Sequence, residues 1–145
     1  MAITEYVWRD VVHKDIIKCV KWCQNKLNLR DWEITVDTGD KCPKVFGKDE
    51  PNVVARAYHQ KRRLYALIWV PLNRIKNRGM NAVQSTIHEM LHIACAVCGI
   101  ETDEDANDDN SEDCLVFRVE APLFKLYCLE SKIKLPDELK DYWEV

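Results

Sequence analysis

His88, Glu89 and His92 are the residues whose types and spacing could do chemistry, and they fall in the stretch STIHEMLHIACAVCGI, residues 85–100. On a helix, positions four apart share a face, so the two imidazoles stand close enough to share one tetrahedral ion. The glutamate between them can reach a water on that ion and act as its general base. Two histidines and one carboxylate leave a coordination position open, the pattern of a catalytic rather than a closed structural zinc site. Zn²⁺ is therefore the expected cofactor. Glu112 is the expected third ligand: counting back along Leu126, Leu123, Val119 and Val116, an apolar row at spacings of three and four ends in this carboxylate. A carboxylate at the head of a buried row is costly unless paired, and a zinc ion would pair it. Asp113 and Glu120 are its rivals. Glu120 falls on another face, with Phe117, Phe124 and Tyr127, and reads as a surface or pairing residue.

The elements that must position these groups follow from periodicity. Residues 13–29 place Ile16, Cys19 or Val20, Cys23 and Leu27 on one stripe with lysines opposite, which predicts an amphipathic helix. Residues 31–38 alternate Trp32, Ile34 and Val36 with polar residues, a half-buried strand. Gly39, Pro43, Gly47 and Pro51 mark a loop over 39–52. Segments 52–60 and 63–71 flank a Lys-Arg-Arg turn and predict a β-hairpin ending at Pro71, which gives a sheet of three or four strands. Tyr58 and His59 on the first of these strands are side-chain donors that could serve an oxyanion, although a strand histidine is more often a surface residue.

Over 81–97 the apolar period returns to that of a helix, with Val83, Ile87, Leu91 and Ala94 on one stripe and Gly99 where a C-terminal cap belongs. His88, His92 and Cys95 lie on the adjacent face. A last helix is predicted over 112–133, capped by Asn110 or Ser111, and Pro122 inside it predicts a kink or a break. The order helix, strands, helix, helix indicates an α+β fold with helices packed on one side of a small mixed or antiparallel sheet.

Composition narrows the function classes. At 145 residues, 47% apolar and 31% charged, the chain reads as a single globular domain over 1–145. No apolar run approaches the roughly 20 residues of a membrane span, and the charged amino terminus lacks the apolar centre of a secretory signal, so a cytoplasmic protein without membrane contact is expected. Seven cysteines, an odd number, are expected as buried thiols. Eight acids and no base in 101–113, against a net charge of −3, leave the rest of the chain at about +5. That acidic segment fails the EF-hand register and reads as a solvated loop joining the two ligand-bearing helices. The basic residues cluster in 56–63 and 73–78. Nucleic-acid contact is compatible with them but unsupported by any recognition motif.

His88-Glu89-x-x-His92 followed by Glu112, twenty residues beyond the second histidine, resembles the gluzincin arrangement of thermolysin-type zinc metallopeptidases. The short chain is similar to minimal zincins, including small phage and bacterial proteins of that kind and the SprT-like group. The resemblance covers roughly residues 53–128. It implies a zincin-like fold with a motif helix and a second ligand-bearing helix, Glu89 as catalytic base, His88, His92 and Glu112 as metal ligands, and a protein or peptide substrate paired with an edge strand. The competing expectations are a catalytically inactive zincin-fold interaction module and a regulatory protease of a DNA-associated protein.

Overall fold

The computed structural model describes residues 10–99 and 112–136, with the backbone alone for residues 112–114. Its elements are α1 (His13–Lys26), β1 (Glu33–Asp37), β2 (Arg56–Gln60), β3 (Tyr65–Trp69), α2 (Leu72–Asn77), α3 (Ala82–Val97) and α4 (Glu112–Ser131). The acidic segment expected as a solvated loop lies outside the described residues, apart from the first turn of α4.

The expected first helix forms because Ile16, Cys19, Val20 and Cys23 recur on one face and are all buried. Its start is fixed by Asp15, whose carboxylate accepts the Val12 backbone N–H at 2.9 Å. The three strands form one mixed sheet in the order β1-β3-β2. The hairpin pairs β2 with β3 antiparallel, Tyr58 opposite Leu67, while β1 runs parallel to β3 with Val36 opposite Ile68. β3 thus occupies the centre, and β1 and β2 are the edges.

Strand alternation sends Ile34, Val36, Ala57, Ala66 and Ile68 to one side, where they join the core with α1 and α3. Trp69 points to the other side and is still fully buried, because the loop between β1 and β2 folds over it. Phe46 lies 6.4 Å from its ring and the Trp69 indole N–H donates to Gly39 O at 2.8 Å. Arg74 secures this loop with a two-pronged pair to Asp49, at 3.0 and 2.7 Å, and a bond to Val53 O. Arg56 and Arg78 donate to Phe46 O and Asn52 O. Three guanidiniums from the basic clusters are therefore engaged within the chain.

The short helix α2 has no counterpart in the sequence expectations. Its six residues bury only Ile75, too few to leave a periodic signal. α3 matches its expected span, begins at Asn81, whose side chain accepts the Gln84 backbone N–H at 3.0 Å, and is followed by Gly99 at φ 76°. α4 is one helix of 20 residues running through Pro122, so the expected break does not occur. Pro122 is exposed, and the backbone bond it removes lies where water can replace it. Among the described residues no helix is long and apolar enough to cross a membrane.

The buried side of α4 differs from expectation. Val119, placed on the core row by the sequence, is 40% exposed, whereas Phe124 is 0% exposed and Tyr127 and Cys128 are also buried. The buried side lies between the two rows: Val116 of the expected core row is buried with Phe124 and Tyr127 of the other, while Val119 and Phe117 are exposed. The physical reason is that α4 is apolar around much of its circumference, so the spacing of apolar residues does not single out one side.

Candidate metal centre

α3 and α4 build the site between them. The row Gln84, His88 and His92, at spacings of four on α3, is turned toward α4, and Glu120 of α4 lies against it. Glu120 Oε1 accepts a hydrogen bond from His88 Nδ1 at 2.5 Å. Glu120 Oε2 accepts one from Gln84 Nε2 at 2.8 Å. The side chains of His88 and Glu120 are largely enclosed, so this contact is only weakly screened by water.

The bond to Glu120 fixes the chemistry of His88. A carboxylate can only accept, so His88 Nδ1 carries a proton, and in the neutral ring the lone pair is on Nε2. That nitrogen faces His92 Nε2 at 3.1 Å, with the two rings edge to face. Two lone pairs aimed at each other at this distance repel. A hydrogen on one of the two nitrogens makes this an ordinary N–H···N hydrogen bond, and a metal ion shared by both would remove the repulsion as well. Tetrahedral ligands with metal–nitrogen distances of 2.0–2.1 Å stand about 3.3 Å apart. The two nitrogens are thus near the spacing that a shared zinc ion would require.

Glu89, on the same helix, is 7% exposed and borders the same cleft. Burial pushes its carboxyl above the usual carboxylate range, an effect the neighbouring His88 and His92 act against. A cavity of about 460 Å³ opens beside it, with His88, Glu89, Gln84 and Glu120 along one wall and Val54, Ala55, Met80 and Phe117 around the rest.

The structure therefore brings together His88, Glu89 and His92 as the sequence implied, and it adds Glu120. This carboxylate, treated from sequence as a surface or pairing residue and as a rival third ligand, is a pairing residue, bonded to the nitrogen of His88 that points away from His92. Such an outer contact locks the ring and raises the basicity of the inner nitrogen. Gln84 and Phe117 were not singled out from the sequence. Gln84 sits one turn before His88 on the same row, which was the available signal, and Phe117 meets the His88 ring at 5.5 Å. The side chains of Glu112 and Asp113 lie outside the described residues. Among the described residues no three His, Cys, Asp or Glu side chains form a metal-holding group. Tyr58 and His59 do not border the cavity, and Tyr58 accepts a hydrogen bond from Gln60 on its own strand at 2.6 Å. Of the cysteines, Cys19, Cys23 and Cys128 are buried thiols as expected, whereas Cys98 is exposed and Cys42 and Cys95 are half-buried.

Comparisons with protein-family models, with curated proteins and with solved structures return no match for this chain.

Proposed function

We propose that this chain is a zincin-like, zinc-dependent metallopeptidase that hydrolyses a peptide bond of a protein or peptide substrate, with Glu89 as general base. The observation that carries the reading is the convergence of His88 Nε2 and His92 Nε2 at 3.1 Å beside the buried Glu89.

His88 and His92 would hold the ion, and Glu112 is proposed as the third ligand. The packing of the two helices supports a carboxylate from the start of α4. Gln84 meets Glu120, and His88 meets both Glu120 and Phe117, so α4 is traversed backwards as α3 advances. One turn further along α3, at His92, the same progression reaches the first turn of α4, which carries Glu112 and Asp113. Zinc bound there supplies a Lewis acid for the substrate carbonyl and lowers the pKa of the attacking water.

Glu89 takes the proton of that water and passes it to the leaving amine. Its raised pKa strengthens the carboxylate as a base toward that water, while the protonated carboxyl remains acid enough to protonate the leaving amine. Glu120 and Gln84 hold the His88 ring so that its lone pair keeps its direction. An extended substrate would add to the edge of β2, whose approach through Val54 and Ala55 lines the cavity, since β3 is paired on both sides.

The test compares wild type with Glu89→Gln, each carrying one equivalent of zinc, on a mixture of fluorogenic peptides. Cleavage by wild type, reduced at least about 100-fold in Glu89→Gln with zinc retained, is the expected result. Equal rates would remove Glu89 from the mechanism. Retained zinc without cleavage by either protein would favour the inactive interaction module.

A further inference from the structure

We propose that the outer face of α1 is an interaction surface for the phosphate backbone of double-helical nucleic acid, held by the row Lys14, Lys18 and Lys21. The surface includes no residue of the zinc site and does not depend on it.

α1 turns one face inward, with Ile16, Cys19, Val20 and Cys23 buried. Lys14, Lys18 and Lys21, at spacings of four and three, fall on the opposite side of the helix. All three are exposed, and among the described residues none of them has an ion pair or a hydrogen bond. The chain does supply partners elsewhere on this helix: Lys26 pairs with Glu130 at 2.8 Å, and Asp15, the one acid of α1, is taken up by the Val12 N–H. Like charges at these spacings destabilise a helix, so the row is a cost to the free protein that an anionic partner removes. Positive charge continues past the end of α1. Arg30 lies in the connection to β1, and the exposed hairpin turn of Lys61, Arg62 and Arg63 stands at the same end of the sheet, where Leu64 O accepts the Glu33 N–H at 2.8 Å. These four cations meet two exposed acids there, Asp31 and Glu33.

The geometry of the row selects the partner. Along the axis of α1 the three lysines span about 10 Å. Over that length one strand of a duplex, with one charge per roughly 3.4 Å, presents about three phosphates. A row of ammoniums therefore meets a row of phosphates of matching number. A membrane surface fits less well, because helices that lie on membranes insert apolar side chains beside their lysines, and among the described residues no exposed large apolar side chain belongs to α1. Lysine ammoniums neutralise phosphates as point charges, so the contact is with the backbone and is independent of base sequence. Asn25 falls on the same side one turn beyond Lys21 and adds a hydrogen-bonding amide to the row.

The experiment titrates the full chain into a fluorescein-labelled duplex DNA of about 20 base pairs and mixed sequence, read by anisotropy between about 50 and 200 mM KCl, with and without a chelator. Affinity should be the same with and without the chelator, and its logarithm should fall with the logarithm of salt at a slope of about −2.7 or steeper, the value for three phosphates. Lys14→Ala, Lys18→Ala and Lys21→Ala together should weaken binding at least about tenfold at the lowest salt and flatten the slope by about 2.7, with thermal melting at the wild-type value. Arginine at the same three positions should retain binding. Lys44→Ala with Lys48→Ala, which removes two exposed cations of the β1–β2 loop, should leave it unchanged. Lys18→Glu alone, at the centre of the row, is the second variant if the triple one does not fold, and it should weaken binding in the same direction. No binding at about 50 mM KCl, undiminished binding in the lysine variants, an equal loss in the Lys44 and Lys48 control, or binding that disappears with the chelator would overturn the inference. Tighter binding to phosphatidylserine–phosphatidylcholine vesicles, lost in the triple variant, would also overturn it by assigning the row to a membrane surface.

Discussion

Replacing Glu120 separates an orienting carboxylate from a metal ligand. Its Oε1 lies 2.5 Å from His88 Nδ1 and its Oε2 2.8 Å from Gln84 Nε2, in a contact largely closed to water. A hydrogen bond to a charged partner contributes about 1.5–3 kcal/mol net. The share that reaches the metal is what the fixed ring direction and the raised basicity of Nε2 supply, about 10–100-fold in affinity. Glu120→Gln keeps the shape and one acceptor, so zinc affinity should fall about tenfold, close to 1.4 kcal/mol. Glu120→Ala also strands Gln84 and frees the ring, so the loss should approach 100-fold. In both variants one zinc should still bind at saturation, as read by competition with a chromophoric chelator. Loss of stoichiometric binding in Glu120→Ala would refute the reasoning by making Glu120 a ligand, and unchanged affinity would refute it by making the contact incidental.

Three further outcomes follow from the packing. Asn81→Ala removes the side chain that caps α3 and should cost about 1 kcal/mol in chemical denaturation, with no loss expected if the cap contributes nothing. Phe124→Ala empties a fully buried position on α4 and should cost about 3–5 kcal/mol, whereas the exposed Phe117→Ala should change stability little. Burial pushes the Cys128 thiol up to about 12 and Cys19 well above its ordinary value. Both are neutral in the fold, while an unfolded thiol ionises near pH 8.5. Their stabilisation is therefore complete below that pH and is lost as pH rises toward 12. Thermal melts between pH 8 and 11 should fall progressively, and less steeply in Cys128→Ala; an equal slope in the two proteins would contradict this.

The residues of the candidate site were legible because their signal is local. His88, Glu89 and His92 lie within five positions, and α3 shows both a periodic stripe and a cap. The hairpin was legible for the same reason, with turn residues between two alternating runs. The order of the sheet was not, since the parallel pairing of β1 with β3 joins segments some thirty residues apart and places β3 between the two edges. Glu120 lies 32 residues from His88, and its role appears only once α4 packs on α3. Sequence spacing left α4 two apolar rows, and packing buries a side between them, taking Val116 from one and Phe124 and Tyr127 from the other. α2 was missed because a single buried residue, Ile75, has no period.

The central claim is that His88 and His92 hold zinc with a carboxylate from the start of α4. Its most direct test is zinc per chain, by mass spectrometry, in wild type, His88→Ala and Glu112→Ala. The account predicts one zinc in wild type, none in His88→Ala and a reduced amount in Glu112→Ala. Equal metal in all three would show zinc held elsewhere, on the cysteines, and would contradict the site.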